Sequence, residues 1–280
     1  MTTRFGPGLA VSLLLLLLVH LPTSASEAGL GRLQRAPDDR RDAAAPPAQD
    51  PAAPPGETVY IDGSSLFPCL VLVPDDYDES KRYPLVVGLH GHGGRADDFF
   101  LPAPWFADIG VIYAVPQAPY EFPSLGRIGY SWNLRSFDDE AGDQGADQMT
   151  ERYILDVIDA LSERYSVGDV YLMGFSQGGA FTYTTAIRNH ERFKGLAAFG
   201  SRFDPSWFAE GELAAATNLR VFIGVGRDDG ASAASSSARD LLREAGYEVE
   251  FFDFEGGHVI ARSAIEALLR WLVPEQRDQR

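Results

Sequence analysis

The sequence predicts an α/β protein built on a doubly wound, mainly parallel sheet with helices on both faces. Three observations carry this expectation. Short β-rich runs alternate along the chain with segments of helical spacing. Several of the runs are continuously apolar, as expected of strands buried on both faces. Polar and glycine-containing clusters then follow four of them directly, and a parallel sheet gathers its strand ends along one edge. A chain of 280 residues can hold one large domain of this kind with a sizeable core, and there is no internal repeat.

Taken in order, the chain opens with Arg4 and an apolar run from Leu9 to Leu21 that contains six consecutive leucines. Thr23-Ser24-Ala25 then supplies small residues of the kind a signal peptidase reads. The run is short for a membrane span, and a secretory signal peptide over 1–25 is expected, with a retained anchor as the alternative. Residues 26–56 are rich in Ala, Pro, Asp and Arg, with five prolines between Ala43 and Pro55, and read as a disordered or extended linker. The ordered domain is expected over 57–275, exported to the periplasm or outside the cell. No membrane contact is expected once the signal is cleaved.

Within the domain, Phe67–Val73 and Leu85–Leu89 read as strands, and the second ends in His90-Gly91-His92-Gly93-Gly94. Gly110–Val115 is the next strand, followed by an irregular segment, Pro116–Gln144. Asp147–Tyr165 carries Met149, Tyr153, Ile154, Val157, Ile158 and Leu161 at helical spacing. An apolar run from Val170 precedes Ser176, and a helix over Ala180–Asn189 follows it. Gly195–Phe199, Leu219–Val225 and Glu248–Phe254 read as strands. Ser232–Ala245 and Val259–Val273 read as helices. The formal charge of −16 argues against nucleic acid or an anionic membrane as a partner. Cys69 is the one cysteine, cannot form an internal disulfide, and reads as a small core residue.

Gly174-Phe175-Ser176-Gln177-Gly178 joins a buried strand to a helix. A serine on so sharp a turn is forced into a strained backbone region, and small residues two before and two after it let strand and helix approach closely. The hydroxyl is then exposed above the sheet edge, where the new helix aims its N–H groups and positive dipole end. The plain alternative is a βα turn in which Ser176 only caps the helix.

A serine nucleophile needs a base, and the base needs a carboxylate to hold its tautomer. Of five histidines, His20 lies in the leader, His190 lies at the far end of the helix after Ser176, and His90 and His92 belong to the early glycine-rich loop. His258, after the last strand on Gly256-Gly257, remains. Asp228 and Asp229 follow the preceding strand; one of them can point inward, with Asp229 preferred, and turn or cap roles are the alternative. The order serine, aspartate, histidine is that of α/β-hydrolases. The His90–Gly94 loop offers backbone N–H groups that, with the Gln177 N–H, would form an oxyanion hole. Metal ligation by His90 and His92 lacks a third ligand in the loop, and a phosphate cradle lacks its lysine. Tyr130, Trp132 and Phe137 could line a substrate pocket or serve only local packing.

With these clusters placed, the chain resembles the α/β-hydrolase superfamily, and within it the phospholipase/carboxylesterase group together with secreted polyhydroxybutyrate depolymerase-like and feruloyl esterase-like enzymes. The similar residues are Leu89–Gly94, Pro116-Gln117-Ala118-Pro119, Gly174–Gly179, Gly226-Arg227-Asp228-Asp229 and Gly257-His258, spread over roughly 71–273. The resemblance implies Ser176 as nucleophile, His258 as base, and the backbone N–H groups of His92 and Gln177 as oxyanion donors. It also favours Asp229, because the acid of that group usually stands three residues after a glycine, here Gly226. Trp132-Asn133-Leu134 and Gly230-Ala231-Ser232 depart from the group's usual residues and leave the substrate open. The expected activity is cleavage of a small or polymer-derived carboxylic ester without metal or organic cofactor. A peptidase or amidase on the same scaffold, and a non-catalytic binding protein, are the alternatives.

Overall fold

The computed structural model describes residues 57–62, 66–124, 126–133 and 140–273. The leader and linker expected over 1–56, Phe137, and the end of the expected domain lie outside the described residues.

The strands are β1 (Glu57–Asp62), β2 (Leu66–Leu72), β3 (Tyr83–Leu89), β4 (Ile112–Pro116), β5 (Tyr120–Ser124), β6 (Arg127–Ser131), β7 (Val167–Phe175), β8 (Gly195–Phe199), β9 (Arg220–Gly226) and β10 (Glu248–Phe254). The α-helices are α1 (Ala96–Phe99), α2 (Ala103–Ala107), α3 (Glu140–Arg164), α4 (Gln177–Arg188), α5 (Glu212–Ala215), α6 (Ser232–Glu244) and α7 (Arg262–Leu272). Eight strands form one sheet in the order β1-β2-β4-β3-β7-β8-β9-β10. From β4 to β10 neighbouring strands are parallel, while β2 runs antiparallel to both β1 and β4. The expected mainly parallel, doubly wound sheet is what the chain forms.

Alternation along each strand sends side chains to opposite faces. Leu85, Val87 and Leu89 of β3 join a core with Ile154, Val157 and Leu161 of α3, Phe181 and Ile187 of α4, and Leu242 of α6. Val86 points the other way, into a core with Phe106 of α2 and Ile265, Leu268 and Trp271 of α7. Helices therefore cover both faces, which is why the central strands read as unbroken apolar runs. Burying a residue such as Leu85 contributes roughly 2 kcal/mol of transfer free energy. Cys69 of β2 is buried, and burial pushes its thiol pKa up. Among the described residues no helix is long and apolar enough to cross a membrane.

Three features depart from expectation. The segment Pro116–Gln144 is not wholly irregular, for it holds the β5–β6 hairpin, and α3 begins before Asp147. Edge strand β1 was not foreseen. The last helix starts at Arg262 and not Val259, because Val259 N–H is held in a tight turn by Gly257 C=O.

The chain visits β4 on one side of β3 and then crosses to β7 on the other, so the connections diverge between β3 and β7. In open α/β sheets the crevice beyond such a switch point is where ligands bind. The loops following β3, β7, β8, β9 and β10 line up on that edge in the order of their strands.

Candidate active site

Ser176 follows β7 with φ 54° and ψ −115°, the one non-glycine residue with positive φ among the described residues. A left-handed φ is costly for a residue with a Cβ, and it is held here by its surroundings. Its N–H donates to Phe199 C=O at 2.8 Å. Gly178 is indispensable to the turn, since a Cβ there would sit 2.3 Å from Leu89 O and 2.6 Å from His90 O. At Gly174 a Cβ would meet Gly178 O at 2.2 Å. Ser176 occupies the N-cap position of α4 but makes no capping hydrogen bond with its side chain, so the plain capping role does not describe it.

Asp229 and Asp228 separate cleanly. Asp228 is exposed, whereas Asp229 is buried and accepts two hydrogen bonds. Its Oδ1 takes the Ala231 N–H at 2.8 Å, and its Oδ2 lies 2.8 Å from His258 Nδ1. Phe175 packs on the His258 ring with centroids 4.6 Å apart. From below, Gly200 closes the pair; a Cβ there would stand 2.8 Å from Asp229 Oδ2 and 3.2 Å from His258 Nδ1. Ser176, Asp229 and His258 all line one cavity of about 1160 Å³. An imidazole whose Nδ1 is held by a carboxylate presents Nε2 as a base, which is what removing a serine proton requires.

The β3 loop packs against the same turn. A Cβ on Gly91 would lie 3.5 Å from Ser176 Cβ. The β5–β6 hairpin straps this loop in place, because Gly93 N–H donates to Tyr130 C=O at 2.9 Å and Tyr130 N–H to Gly94 C=O at 3.0 Å. His92 N–H makes no hydrogen bond among the described residues. Gln177 is the first residue of α4, where amides point out along the helix axis. Its side chain donates from Nε2 to Ser131 Oγ at 3.0 Å and to Asn133 Oδ1 at 2.7 Å, and its Oε1 accepts the Trp132 N–H at 2.9 Å. Ser131 Oγ also lies 3.2 Å from His92 Nδ1.

His90 is a structural neighbour of this loop. Its Nδ1 bonds Gly91 C=O at 2.8 Å, and Nε2 bonds Gln117 Nε2 at 2.8 Å and the Ala118 N–H at 3.3 Å. Gln117 Oε1 is taken by the Ala96 N–H, so its amide donates to the imidazole, which fits the neutral ring. Burial lowers the His90 pKa to about 4 against the opposing pull of the Gly91 carbonyl. Both ring nitrogens are engaged by the protein. The Pro116–Pro119 segment therefore matters through Gln117, a role its sequence did not disclose.

Trp132 is fully buried and donates its indole N–H to His90 C=O at 2.7 Å, so it braces the loop and does not line the cavity. Residues that sequence reasoning missed make the far wall: Phe181 and Arg188 from α4, and Arg202 and Trp207 from the loop after β8. Nothing in their local pattern marks them: Phe181 and Arg188 lie along α4, and Arg202 and Trp207 reach the cavity through the path of that loop. Arg188 is ion-paired with Glu151, and burial pushes the Glu151 pKa up against the pull of that arginine.

A model of the Phospholipase/Carboxylesterase family matches residues 77–273. Dipeptidyl-peptidase 5 of Porphyromonas gingivalis is 26% identical over 166 residues, covering 54% of this chain and 23% of that protein. A probable feruloyl esterase C of Aspergillus niger is 26% identical over 128 residues, covering 45% of this chain and 43% of that one. The chain thus spans less than half the length of either relative. The crystal structure of esterase PE8 superposes with a TM-score of 0.59 at 23% identity, covering 73% of this chain and 96% of that one. The architecture shared with it is the α/β-hydrolase fold.

Proposed function

The chain belongs to the phospholipase/carboxylesterase family, and from this premise we propose that it is a hydrolase of the carboxylesterase type that cleaves carboxylic esters through Ser176, His258 and Asp229. The observation that carries the reading is the 2.8 Å contact of His258 Nδ1 with buried Asp229 Oδ2, on the cavity that Ser176 also lines.

In this reading Ser176 Oγ attacks the ester carbonyl while His258 Nε2 takes its proton. Asp229 holds the ring and stabilises the imidazolium. The backbone N–H groups of His92 and Gln177 receive the oxyanion of the tetrahedral intermediate. Its collapse breaks the bond to the alkoxy group, which leaves with the proton from His258 as the free alcohol. Water, deprotonated by His258, then attacks the acyl-enzyme; the acid departs and Ser176 recovers its proton. The leader read over 1–25 makes the enzyme an exported one.

A fluorophosphonate probe is expected to label the wild type and not Ser176→Ala, and equal labelling of both would discard the scheme. The match to a dipeptidyl-peptidase favours one rival, hydrolysis of amides by the same residues. p-Nitrophenyl esters compared with aminoacyl p-nitroanilides separate the two, and faster turnover of the esters is expected.

A further inference from the structure

The acidic and basic side chains around the cavity are engaged by neighbours, with one exception. Asp229 is held by His258, and Glu151 by Arg188. Arg188 is further engaged by the Trp207 carbonyl and lies 3.9 Å from Glu212. Asp147 has a partner of its own. Arg202 remains. It is exposed, it lines the cavity, and among the described residues no carboxylate forms an ion pair with it. Asp204, two residues on, is turned to the Ser206 N–H, which its Oδ1 accepts at 2.9 Å.

The Arg202 guanidinium is placed by Trp207, with its Cζ 5.6 Å from the centre of that ring. Stacking on an aromatic face fixes the plane of a guanidinium and leaves its N–H edge available for bidentate contact with a carboxylate. The site is also close to the reacting groups. Gly200, whose Cβ position abuts Asp229 and His258, precedes Arg202 by two residues, a span of at most about 7 Å.

We propose that Arg202 and Trp207 form an anion-binding subsite, and that the enzyme's preferred substrates are esters carrying a carboxylate a few atoms from the scissile bond. This inference rests on the esterase reading above. The overall charge of −16 does not oppose it at short range, since at physiological salt fields beyond about 8 Å are screened. A carboxylate inside the cavity therefore meets a guanidinium that, among the described residues, feels the Asp204 charge but forms no ion pair with it.

The test compares matched pairs of esters by pH-stat. One pair places the charge on the acyl side, as adipic acid monomethyl ester against its monoamide. The other places it on the alcohol side, as an O-butyryl hydroxy acid against its amide. The wild type is expected to favour the carboxylate member of one pair by about tenfold in kcat/KM, and Arg202→Ala to bring that ratio close to one. Arg202→Lys should retain part of it, because the charge persists without the planar fork. A wild-type ratio at or below one in both pairs, or a ratio unmoved by Arg202→Ala, overturns the proposal. Adipate binding to Ser176→Ala and to the Ser176→Ala/Arg202→Ala double variant, read by calorimetry, separates this inference from its premise. Equal affinity in both sinks the anion subsite. Arg202-dependent binding in a protein that hydrolyses neither neutral nor charged esters leaves the subsite standing and removes the esterase reading.

Discussion

Asp229 and His258 meet at 2.8 Å with very unequal exposure, the carboxylate side chain 2% and the imidazole 48% accessible. The carboxylate is sheltered where its orienting force is strongest, while the ring stays open to a substrate. Asp229→Asn is therefore expected to lower kcat by about 10⁴-fold, because an amide stabilises the wrong tautomer. Asp228→Asn, on the exposed neighbour, should leave kcat within about twofold, surface changes of this kind being nearly neutral. Similar losses in the two variants, measured on one ester, would refute the assignment.

The backbone at Ser176 is held at φ 54°, where a side chain is unwelcome. Ser176→Gly removes the Cβ that makes this costly, whereas Ser176→Ala keeps it. Urea denaturation is expected to find the glycine variant more stable than the alanine variant by about 1 kcal/mol, both being inactive. An alanine variant as stable as the glycine one would mean that the turn carries no strain.

Stability should fall with acidification through His90. Its pKa is about 4 in the folded chain and ordinarily 6.5, so between those values the unfolded chain binds more protons than the folded one. The stability associated with the neutral ring is complete above pH 6.5 and declines as pH falls toward 4, by up to about 3 kcal/mol. His90→Gln should flatten this part of the pH profile of Tm. An unchanged slope would show that protonation of His90 is not what the acid limb reports.

Ser131 Oγ touches both residues whose amides are assigned to the oxyanion, His92 through its ring and Gln177 through its carboxamide. It is a positioning residue in that assignment. Ser131→Ala should lower kcat about tenfold with KM little changed, since misplaced donors act on the transition state more than on the ground state. Ser131→Thr, which keeps the hydroxyl, should recover part of the loss. A rise in KM alone would point to substrate contact instead.

The sequence made the centre of the fold legible because its physics is local. Val170–Phe175 is apolar throughout and ends in a motif whose glycines have one steric purpose, so the strand, the turn and the strained serine at its tip are read together. His258 and Asp229 followed because strand ends in a parallel sheet must share an edge. Glu57–Asp62 escaped notice because an edge strand pairs on one side only and lacks the continuous apolar run of a central one. The β5–β6 hairpin was hidden by Pro123 and Gly126, which read as loop, and by strands that are mostly exposed. Arg202 and Trp207 have no period or motif at all. Their partnership depends on a short helical turn after Asp204 that brings the ring back under the guanidinium.

Cys69 lies fully inside strand β2, hydrogen-bonded through its neighbours to β1 on one side and β4 on the other. A reagent such as iodoacetamide can alkylate it only after that margin of the sheet has come apart. The rate of alkylation in native buffer is thus a clock for opening of the amino-terminal edge. Recovery after denaturation, in turn, requires neither oxidant nor reductant, because the one sulfhydryl has no mate within its own chain to be mismatched with.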